Sequence, residues 1–325
     1  MLKFTVFLIL LSRVSCQNCS LGRISAEVLV NVDSEVEKVD FSGKVELPED
    51  NFQLFINQQN LPRLCENSIH IINELSILQV RNSNLLTIDP GAFNIAPALA
   101  LLKISYNPLT VLRAGVFNKV RTKEIDVSHN FISVIEKETF DNNSWLEVVS
   151  LSHNAIKHLD PDWFQNSPNV YKISIIYNEL TKVPDEAFRN MAKDRGLKLR
   201  LSANMISEVA EKAFEGIETV QNLWMNGNKL RSLPTALFNN ISIINLELNT
   251  NNLLCFPENM YGCGLKKLQF LDNQQFRCDC LNEVKDFVIE NSVDIVYPSI
   301  ICENKTRQVN VVFNFNKTYE IPIFS

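Results

Sequence analysis

The repeating unit of this chain is clearest in the stretch Leu223-Trp224-Met225-Asn226-Gly227-Asn228-Lys229-Leu230-Arg231-Ser232-Leu233, with Phe238 five residues further on. This stretch has the pattern L-x-L-x-x-N-x-L-x-x-L, in which Met225 takes the place of the second Leu. The pattern occurs eight times within residues 75–272. A short unit repeated in this way indicates that the chain is built from stacked copies of one structural element.

Two columns of residues keep the phase of the repeat. The first column starts with Ser83 and continues through Asn107, Asn130, Asn154, Asn178, Asn204, Asn228 and Asn251, at separations of 24, 23, 24, 24, 26, 24 and 23 residues. A Phe follows ten residues after each of the first seven positions, at Phe93, Phe117, Phe140, Phe164, Phe188, Phe214 and Phe238. The period of about 24 residues falls within the roughly 20 to 29 residues of a leucine-rich-repeat solenoid.

The physics of the repeat predicts the same fold. In Leu-x-Leu the apolar side chains alternate with exposed ones, which is typical of a short strand with one buried face. One unit is too small to bury its own apolar side, so neighbouring units stack and their strands join a parallel sheet. The predicted fold is therefore an α/β, right-handed solenoid with the parallel sheet on its concave face, irregular or short helical turns outside, and a disulfide-bonded cap at each end.

We interpret the Asn and Phe columns as structural. After each strand the chain turns sharply, and the backbone N–H and C=O groups of the turn need partners inside the solenoid. An Asn amide both donates and accepts hydrogen bonds, so a buried ladder of Asn is expected there. The Phe column fills the space on the return side of each repeat.

Composition excludes several classes of function. The formal net charge of the 325 residues is −6, whereas nucleic-acid binding needs a basic face. The chain has only nine Gly, which argues against glycine-rich phosphate loops, and we expect no cofactor. No catalytic Ser/His/Asp, Cys/His or paired-carboxylate pattern rises above chance, and Cys278-Asp279-Cys280 lacks the further ligands of a zinc site. The sequence therefore predicts a protein that is not an enzyme.

Residues 1–16 are typical of a signal peptide. Lys3 precedes the apolar run 4–11, and Val14 and Cys16 suit the −3 and −1 positions of a signal-peptidase site, so we expect cleavage after Cys16. The run is too short for a membrane span, which needs about 20 residues, and no other stretch reaches that length. Residues 319–325 lack a lipid-anchor tail. The mature chain, with a net charge of −8, is predicted to be secreted and extracellular.

The repeats divide the rest of the chain into three parts. Residues 17–50 form the predicted N-terminal cap, a hairpin-like edge that covers the open end of the core. Residues 51–272 contain about nine repeats, of which the first is degenerate. Residues 273–325 form a cysteine-rich C-terminal cap and tail, with a helix predicted over 283–290.

The cysteines and the glycosylation sequons fit the secretory route. We expect Cys19 to pair with Cys65, and Cys255 to form a local disulfide with Cys263. Five Asn-x-Ser/Thr sequons are candidate glycosylation sites: Asn18, Asn142, Asn240, Asn304 and Asn316. Asn142 and Asn240 each follow a Phe of the repeat, on its outer side, so that their sugars would leave the strand face free.

The C-terminal part resembles the cysteine-rich cap of extracellular leucine-rich-repeat proteins, which begins N-P-F/W-x-C-x-C. Asn273 and the segment Phe276-Arg277-Cys278-Asp279-Cys280-Leu281 keep most of this motif, although the Pro is missing. In that family the first cysteine of C-x-C bonds the third, and the second bonds the fourth. The resemblance implies a Cys278–Cys302 disulfide and leaves Cys280 without a partner, while a Cys280–Cys302 pairing stays open.

Residues 51–302 as a whole are similar to secreted and ectodomain leucine-rich-repeat proteins of animals. These include Toll-type receptor ectodomains, Slit-like proteins and insect leucine-rich immune proteins. The resemblance implies a role in innate immune recognition, or as a receptor-like decoy.

One candidate binding group is a column on the concave face. His129 and His153 stand one residue before the ladder Asn, and Tyr106 and Tyr177 share that position. On adjacent strands the four would form a recognition stripe with about 4.7–4.9 Å between neighbours. Such residues are also common fillers in these repeats, and although paired His side chains can take a metal, we predict no metal site.

A second candidate group is centred on Trp224. Arg200 and Glu247 occupy the same strand position in the flanking repeats. Exposed Trp and Arg are typical interface hot spots. The alternative interpretation of Trp224 is a partly covered surface side chain.

The sequence therefore predicts a secreted glycoprotein that binds another extracellular protein or a microbial glycoconjugate through its concave face. The alternative is a matrix or adhesion component with a structural role. Cleavage after Cys16 leaves seven cysteines, so at least one is free or intermolecular. With Cys280 unpaired, the two alternatives are a monomer with one free thiol and a disulfide-linked dimer.

Overall fold

The computed structural model describes residues 7–10, 24–29, 37–41, 44–47, 52–66, 68–71, 75–118, 120–296, 302–304 and 307–309. The chain forms two compact units, which are described separately. Unit 1 comprises Met1–Glu179 and Phe188–Arg195, and unit 2 comprises Leu180–Ala187 and Gly196–Ser325.

Unit 1 consists mainly of short strands. They are β1 (Phe7–Leu10), β2 (Ile24–Leu29), β3 (Glu37–Phe41), β4 (Lys44–Leu47), β5 (Phe52–Asn57), β6 (Arg63–Leu64), β7 (Ile69–Ile71), β8 (Leu75–Arg81), β9 (Thr87–Ile88), β10 (Phe93–Ser105), β11 (Val111–Leu112), β12 (Val120–Asp126), β13 (Val134–Ile135), β14 (Val148–Ser150) and β15 (Lys172–Ser174). A 3-10 helix spans Pro161–Phe164, between β14 and β15.

The main sheet of unit 1 has the order β3-β2-β5-β8-β10-β12-β14-β15. Neighbouring strands from β5 to β15 are parallel. The antiparallel pair β2 and β3 is added at the β5 edge, where the sequence predicts the N-terminal cap. Within the predicted leader, β1 pairs antiparallel with β4, and cleavage after Cys16 stays a prediction.

Unit 2 contains β16 (Lys182–Val183), β17 (Leu197–Arg200), β18 (Glu208–Val209), β19 (Thr219–Trp224), β20 (Ser242–Glu247), β21 (Lys267–Gln269), α1 (Cys278–Asn291), β22 (Asp294–Val296), β23 (Cys302–Asn304) and β24 (Arg307–Val309). Two 3-10 helices span Thr235–Phe238 and Glu258–Gly262. The main sheet has the order β17-β19-β20-β21-β22, and all its neighbouring pairs are parallel.

Helix α1 includes the predicted segment 283–290 and begins earlier, at Cys278. It buries Leu281, Val284 and Val288, which recur at helical spacing on one face. Ser292 ends the helix in the left-handed conformation with a φ of 52°. In the part of the chain that the structure describes, no helix is both long and apolar enough to cross a membrane.

The strand positions predicted to be apolar form continuous buried columns. In unit 1 the column consists of Leu78, Leu102, Ile125, Val149 and Ile173, paired in register across β8, β10, β12, β14 and β15. In unit 2 it consists of Leu199, Leu223, Leu246, Leu268 and Ile295. Burying each such side chain stabilises the fold by about 1.5–3 kcal/mol, so the stacked strands hold the core.

The Asn column lies where each repeat turns after its strand. Asn228 accepts a hydrogen bond on Oδ1 from the N–H of Ile206 at 3.0 Å. Its Nδ2 donates to the carbonyl oxygens of Leu201 and Met225 at 3.0 and 2.9 Å. An Oδ1 that accepts from the backbone N–H of an earlier turn is shared by Asn107, Asn130, Asn154, Asn178, Asn204, Asn251 and Asn273. The Asn side chains in this way supply hydrogen-bond partners to backbone N–H and C=O groups of the turns.

The Phe column packs on the return side of the repeats. In unit 1 the ring centres of Phe93, Phe117, Phe140 and Phe164 follow one another at 6.2, 5.5 and 5.5 Å, and all three pairs are stacked. In unit 2, Phe256, Phe270 and Phe276 form a cluster with ring centres 5.0–5.1 Å apart beneath the last repeat. The aromatic packing thus follows the period of the sequence in unit 1 and changes near the C-terminal cap.

The disulfide of the last repeat differs from the sequence-based expectation. Cys255 is bonded to Cys280, so the expected Cys255–Cys263 disulfide, the unpaired Cys280 and the Cys280–Cys302 alternative are all wrong. The two partners are 25 residues apart, close to one period of the repeat, so stacking places them on neighbouring turns with a Cα–Cα distance of 5.5 Å. Cys263 is instead a buried free thiol, and burial raises its pKa.

The other cysteines are only partly tested. Cys65 and Cys278 are each disulfide-bonded. Cys19 lies outside the described residues, and the Cys19–Cys65 and Cys278–Cys302 pairings stay predictions. Because Cys280 is bonded within the chain, the reason for expecting a disulfide-linked dimer through it no longer holds.

Candidate functional site

Four aromatic side chains of consecutive repeats form a continuous column in unit 1, which we call the aromatic stack. Its members are Tyr106, His129, His153 and Tyr177. The ring centres follow one another at 4.3, 4.1 and 4.6 Å, with interplanar angles of 6°, 11° and 21°. The structure therefore brings together all four residues that the sequence places in this column.

The aromatic stack lies in the turns beyond the ends of β10, β12, β14 and β15, not on the strands themselves. Its four residues have φ values of 54–56°, in the left-handed region. The same conformation recurs at the equivalent position of other repeats, at Gln58, Asn82, Ala203, Gly227, Thr250 and Asp272. The four residues therefore lie in turns that follow the strands and share one backbone conformation, and their place on the concave face stays a prediction.

The stack is exposed and has a cation at one end. Tyr106 and Tyr177 are 43% and 58% exposed, although large aromatic side chains are usually buried at least in part. The guanidinium carbon of Arg81 lies 4.6 Å from the ring centre of Tyr106, a cation–π distance. Sequence reasoning missed Arg81 because it does not belong to the aromatic column, and its separation from Tyr106, about one period, is the only available signal.

The surroundings of His129 favour its neutral form. Burial lowers the pKa of His129 below its usual 6.5, and the neighbouring His153 lowers the pKa further. Lys103 and Arg81 act in the same direction, whereas Asp126 opposes them. At neutral pH the His129 ring of the stack is therefore uncharged.

Beside the stack, the strand face of unit 1 is polar. Lys103 Nζ lies 2.6 Å from Asp126 Oδ2 on neighbouring strands. Burial raises the pKa of Asp126, but hydrogen bonds from Lys103 and Ser128 outweigh burial and leave the pKa below its ordinary value. Further along the row, the Ser174 hydroxyl is hydrogen-bonded to that of Ser152 at 2.9 Å. Short polar side chains thus border the exposed rings.

The second predicted group is present in unit 2. Arg200, Trp224 and Glu247 are in register on β17, β19 and β20. The guanidinium carbon of Arg200 lies 4.9 Å from the ring centre of Trp224, which is half-buried. Glu247 Oε2 accepts a hydrogen bond from Asn226 Nδ2 at 3.0 Å. Trp224 is therefore partly covered, with a cation and an anion at the same position of the two flanking strands.

The sequons lie partly within the described chain. Asn142 and Asn240 are both exposed, with φ values of 55° and 59°, in equivalent turns. Asn18 and Asn316 lie outside the described residues, and Asn304 ends β23. Occupancy by sugar stays a prediction at all five sites.

Three potential metal ligands lie close together near the C-terminal cap. Side-chain atoms of Cys255, Cys280 and Glu283 are within 4.8 Å of one another. The two sulfur atoms are bonded to each other, so they are not available as thiolate ligands. This cluster therefore does not have the donors of a zinc site.

Two family models match the chain. Residues 120–175 match the model described as Leucine rich repeat, and residues 197–314 match the one described as BspA type Leucine rich repeat region (6 copies). The leucine-rich-repeat domain of APL1 has a similar fold, with a TM-score of 0.52 and 24% identity, over 68% of this chain and 60% of that domain. The protein is a leucine-rich-repeat solenoid, a class whose members typically present extended binding surfaces.

Within this class the chain resembles Toll ectodomains. In the Toll–Spatzle complex of Drosophila, the similar chain has a TM-score of 0.58 and 19% identity, over 67% of this chain and 30% of that one. Toll-like receptor 5 of Homo sapiens is 32% identical over 113 residues, which are 33% of this chain and 13% of the receptor. Tsukushi of Gallus gallus is 32% identical over 183 residues, which are 53% of this chain and 39% of Tsukushi. The chain therefore spans well under half of the length of either curated relative.

Proposed function

We propose that the protein is a secreted glycoprotein, not an enzyme, that binds another extracellular protein through a surface centred on the aromatic stack. The leader-like residues 1–16 and the five sequons support the secretory route. The exposed column of four stacked rings is the observation that carries the proposed binding role.

The backbone of the repeat does not require aromatic side chains in this column. Asn82 and Gly227 occupy the equivalent position with the same sign of φ, and such residues adopt the left-handed conformation with less strain than Tyr. Stacking contributes about 0.5–1.5 kcal/mol per aromatic pair, which offsets part of that strain. A hydrophobic surface kept exposed in spite of strain is consistent with a binding role.

A stacked column also suits binding energetically. Each ring is held by its neighbours, so little side-chain freedom remains to be lost when a partner docks. Tyr supplies a large apolar area together with a hydroxyl, which explains its frequency in binding surfaces. We expect the contact to be mainly apolar, with hydrogen bonds from the tyrosine hydroxyls and the imidazole nitrogens.

Protein is the first partner class to test. Two solved structures that contain a chain of similar fold are protein complexes: Toll with Spatzle, and LRIM1 with APL1C. The LRIM1/APL1C match has a TM-score of 0.51 and 24% identity, over 68% of this chain and 43% of that one. These likenesses concern the fold, and they support the choice of partner class only as an analogy. Immune recognition is the role that this analogy favours.

The proposal is tested by placing a photo-crosslinking benzoylphenylalanine at Phe131, two residues after His129 and 65% exposed. The matched control places it at Val134, which is 48% exposed in the same repeat. After irradiation in extracellular fluid of the source organism, we expect a discrete protein adduct from the Phe131 position alone. The adduct should disappear when His129 and His153 are both replaced by Ser.

Three outcomes would count against this assignment. They are an adduct that forms equally from the control position, one that survives the double substitution, and the absence of any adduct. An adduct with a microbial glycoconjugate would keep the surface and replace the partner class. Unchanged far-ultraviolet circular dichroism of the double variant shows that the fold is intact.

A further inference from the structure

Unit 2 contains a cavity of about 260 Å³ between the turns of two consecutive repeats. One wall comes from residues 211–217, and the opposite wall comes from residues 236–241. Each segment spans a Phe of the repeat column, Phe214 in the first and Phe238 in the second. The cavity therefore lies on the return side of the repeats. Asn240, the asparagine of a sequon, is part of its lining.

The cavity combines an apolar floor with a polar rim. Ile217, Leu237 and Ile241 line it with less than one tenth of their surfaces exposed. The rim carries the exposed side chains of Glu211, Lys212 and Glu215. Lys212 is paired with Glu215 at 3.5 Å, so the rim has more carboxylate than ammonium. This chemistry suits a neutral ring that has an apolar face and hydroxyl donors, and it disfavours an anion.

The size of the cavity limits its occupant. Ordinary small-molecule sites enclose roughly 300–1,000 Å³, and this cavity lies below that range. One sugar ring is a better match than an extended ligand. A ring attached to Asn240 would also be held at its mouth by a covalent bond, which gives it a high effective concentration there.

We propose that the cavity is a docking site for the first N-acetylglucosamine ring of a glycan on Asn240. The ring places its apolar face on Ile217 and Ile241, and its hydroxyls donate hydrogen bonds to Glu211 and Glu215. The glycan then links the turns of two neighbouring repeats and stabilises unit 2. The inference rests on the secretory route of the proposed function, because that route supplies the sugar.

Asn142 is the matched control within the same chain. Like Asn240, it stands two residues after a Phe of the column, is exposed and has a positive φ. It does not line this cavity, and its Nδ2 donates instead to Asp141 Oδ2 at 3.1 Å. A substitution to Gln therefore strains the backbone similarly at both sites, and the difference between the two variants reports the cavity.

The experiment compares the secreted protein with Asn240→Gln and Asn142→Gln variants by thermal unfolding, after mass spectrometry of each site. We expect the loss of the Asn240 glycan to lower the Tm by about 2–4 °C more than the loss of the Asn142 glycan. Trimming both glycans to a single N-acetylglucosamine should leave the Tm of the parent protein unchanged. In an Ala236→Phe background, which fills the cavity, Asn240→Gln should lower the Tm no more than Asn142→Gln does.

Equal Tm losses for the two variants would overturn the docking site, as would a Tm that falls on trimming to one ring. If Asn142 carries a glycan and Asn240 does not, the docking site is wrong while the secretory route stands. If neither site carries a glycan and the protein stays inside the cell, the proposed function fails together with this inference. Should Ala236→Phe not fold, the comparison of the two Gln variants decides alone.

Discussion

Replacing Asn228 with Ala tests whether the Asn ladder holds the repeats together. The side chain is buried and makes four hydrogen bonds to the backbone, of which the longest, 3.5 Å, runs from Nδ2 to the carbonyl of Asn226. The carbonyl of Leu201 keeps a second donor in Asn204, and the carbonyl of Met225 keeps one in Asn251. Within the described part of the chain, the N–H of Ile206 donates only to Asn228, so the substitution leaves that group buried and unpaired.

The expected loss of stability follows from the hydrogen bonds that the substitution removes. One orphaned buried N–H costs about 1–3 kcal/mol, and the carbonyls, which each keep another donor, add about 1 kcal/mol together. We therefore expect Asn228→Ala to lower the free energy of unfolding by about 2–4 kcal/mol, measured by urea denaturation with circular dichroism. Asn252→Ala, an exposed Asn in the next repeat, is the control and should change it by less than about 0.5 kcal/mol.

A second variant separates the accepting and donating roles of the side chain. Asn228→Asp keeps the acceptor for Ile206 but turns a carboxylate toward two carbonyl oxygens, which raises its pKa in the folded state. Its stability relative to the parent protein should therefore be highest below about pH 4 and fall as the pH rises. A loss for Asn228→Ala that does not exceed that for Asn252→Ala would show that the ladder is not a major source of stability.

Three further predictions concern the stack, the disulfide and Trp224. Because the pKa of His129 is lowered in the folded protein, the stability that its neutral form contributes is present above about pH 6.5 and is lost as the pH falls. The Tm measured between pH 7.5 and 5.5 should therefore fall with the pH, and it should fall less in His129→Gln. Peptide mapping without reductant should yield a Cys255–Cys280 linked peptide, with Cys263 alkylated only after denaturation, and Cys255→Ser should lower the free energy of unfolding by about 3 kcal/mol. A Cys255–Cys263 peptide would refute the pairing. Trp224→Ala tests the second predicted group by itself: it should weaken partner binding by about tenfold or more in a titration without changing the urea midpoint by much, and an unchanged affinity would show that this group has no contact role.

The period of the sequence was enough to predict the fold and much of the core. Leu102, Ile125 and Val149 occupy the same position of three consecutive units, and they are buried in register on neighbouring strands. Asn130 and its equivalents were predicted from one physical need, because every turn leaves backbone groups that only an amide satisfies in both directions. The contacts between repeats follow from stacking, so a local pattern was sufficient.

The candidate site was predicted only in part. The spacing of Tyr106, His129, His153 and Tyr177 indicated a column, and the rings do stack. Their position beyond the strand ends depends on the left-handed φ of each residue, and the residue types Tyr and His do not predict that conformation. Arg81 joins the column from another position of its repeat, so its contact with Tyr106 depends on the side-chain direction in three dimensions.

The sequence by itself determined the class of fold, the buried apolar positions of the strands and the Asn ladder, because these depend on hydrophobic periodicity and on hydrogen bonding within a turn. Only the tertiary structure decided that Cys255 bonds Cys280 rather than Cys263, and that the turn at Asn240 borders a cavity. A residue can make such a contact either with a residue close in sequence or with one that lies a full period away. Stacking of the repeats favours the residue a full period away, because it lies on the adjacent turn. Which residues meet is therefore decided by distances between adjacent turns, and the sequence alone does not give those distances.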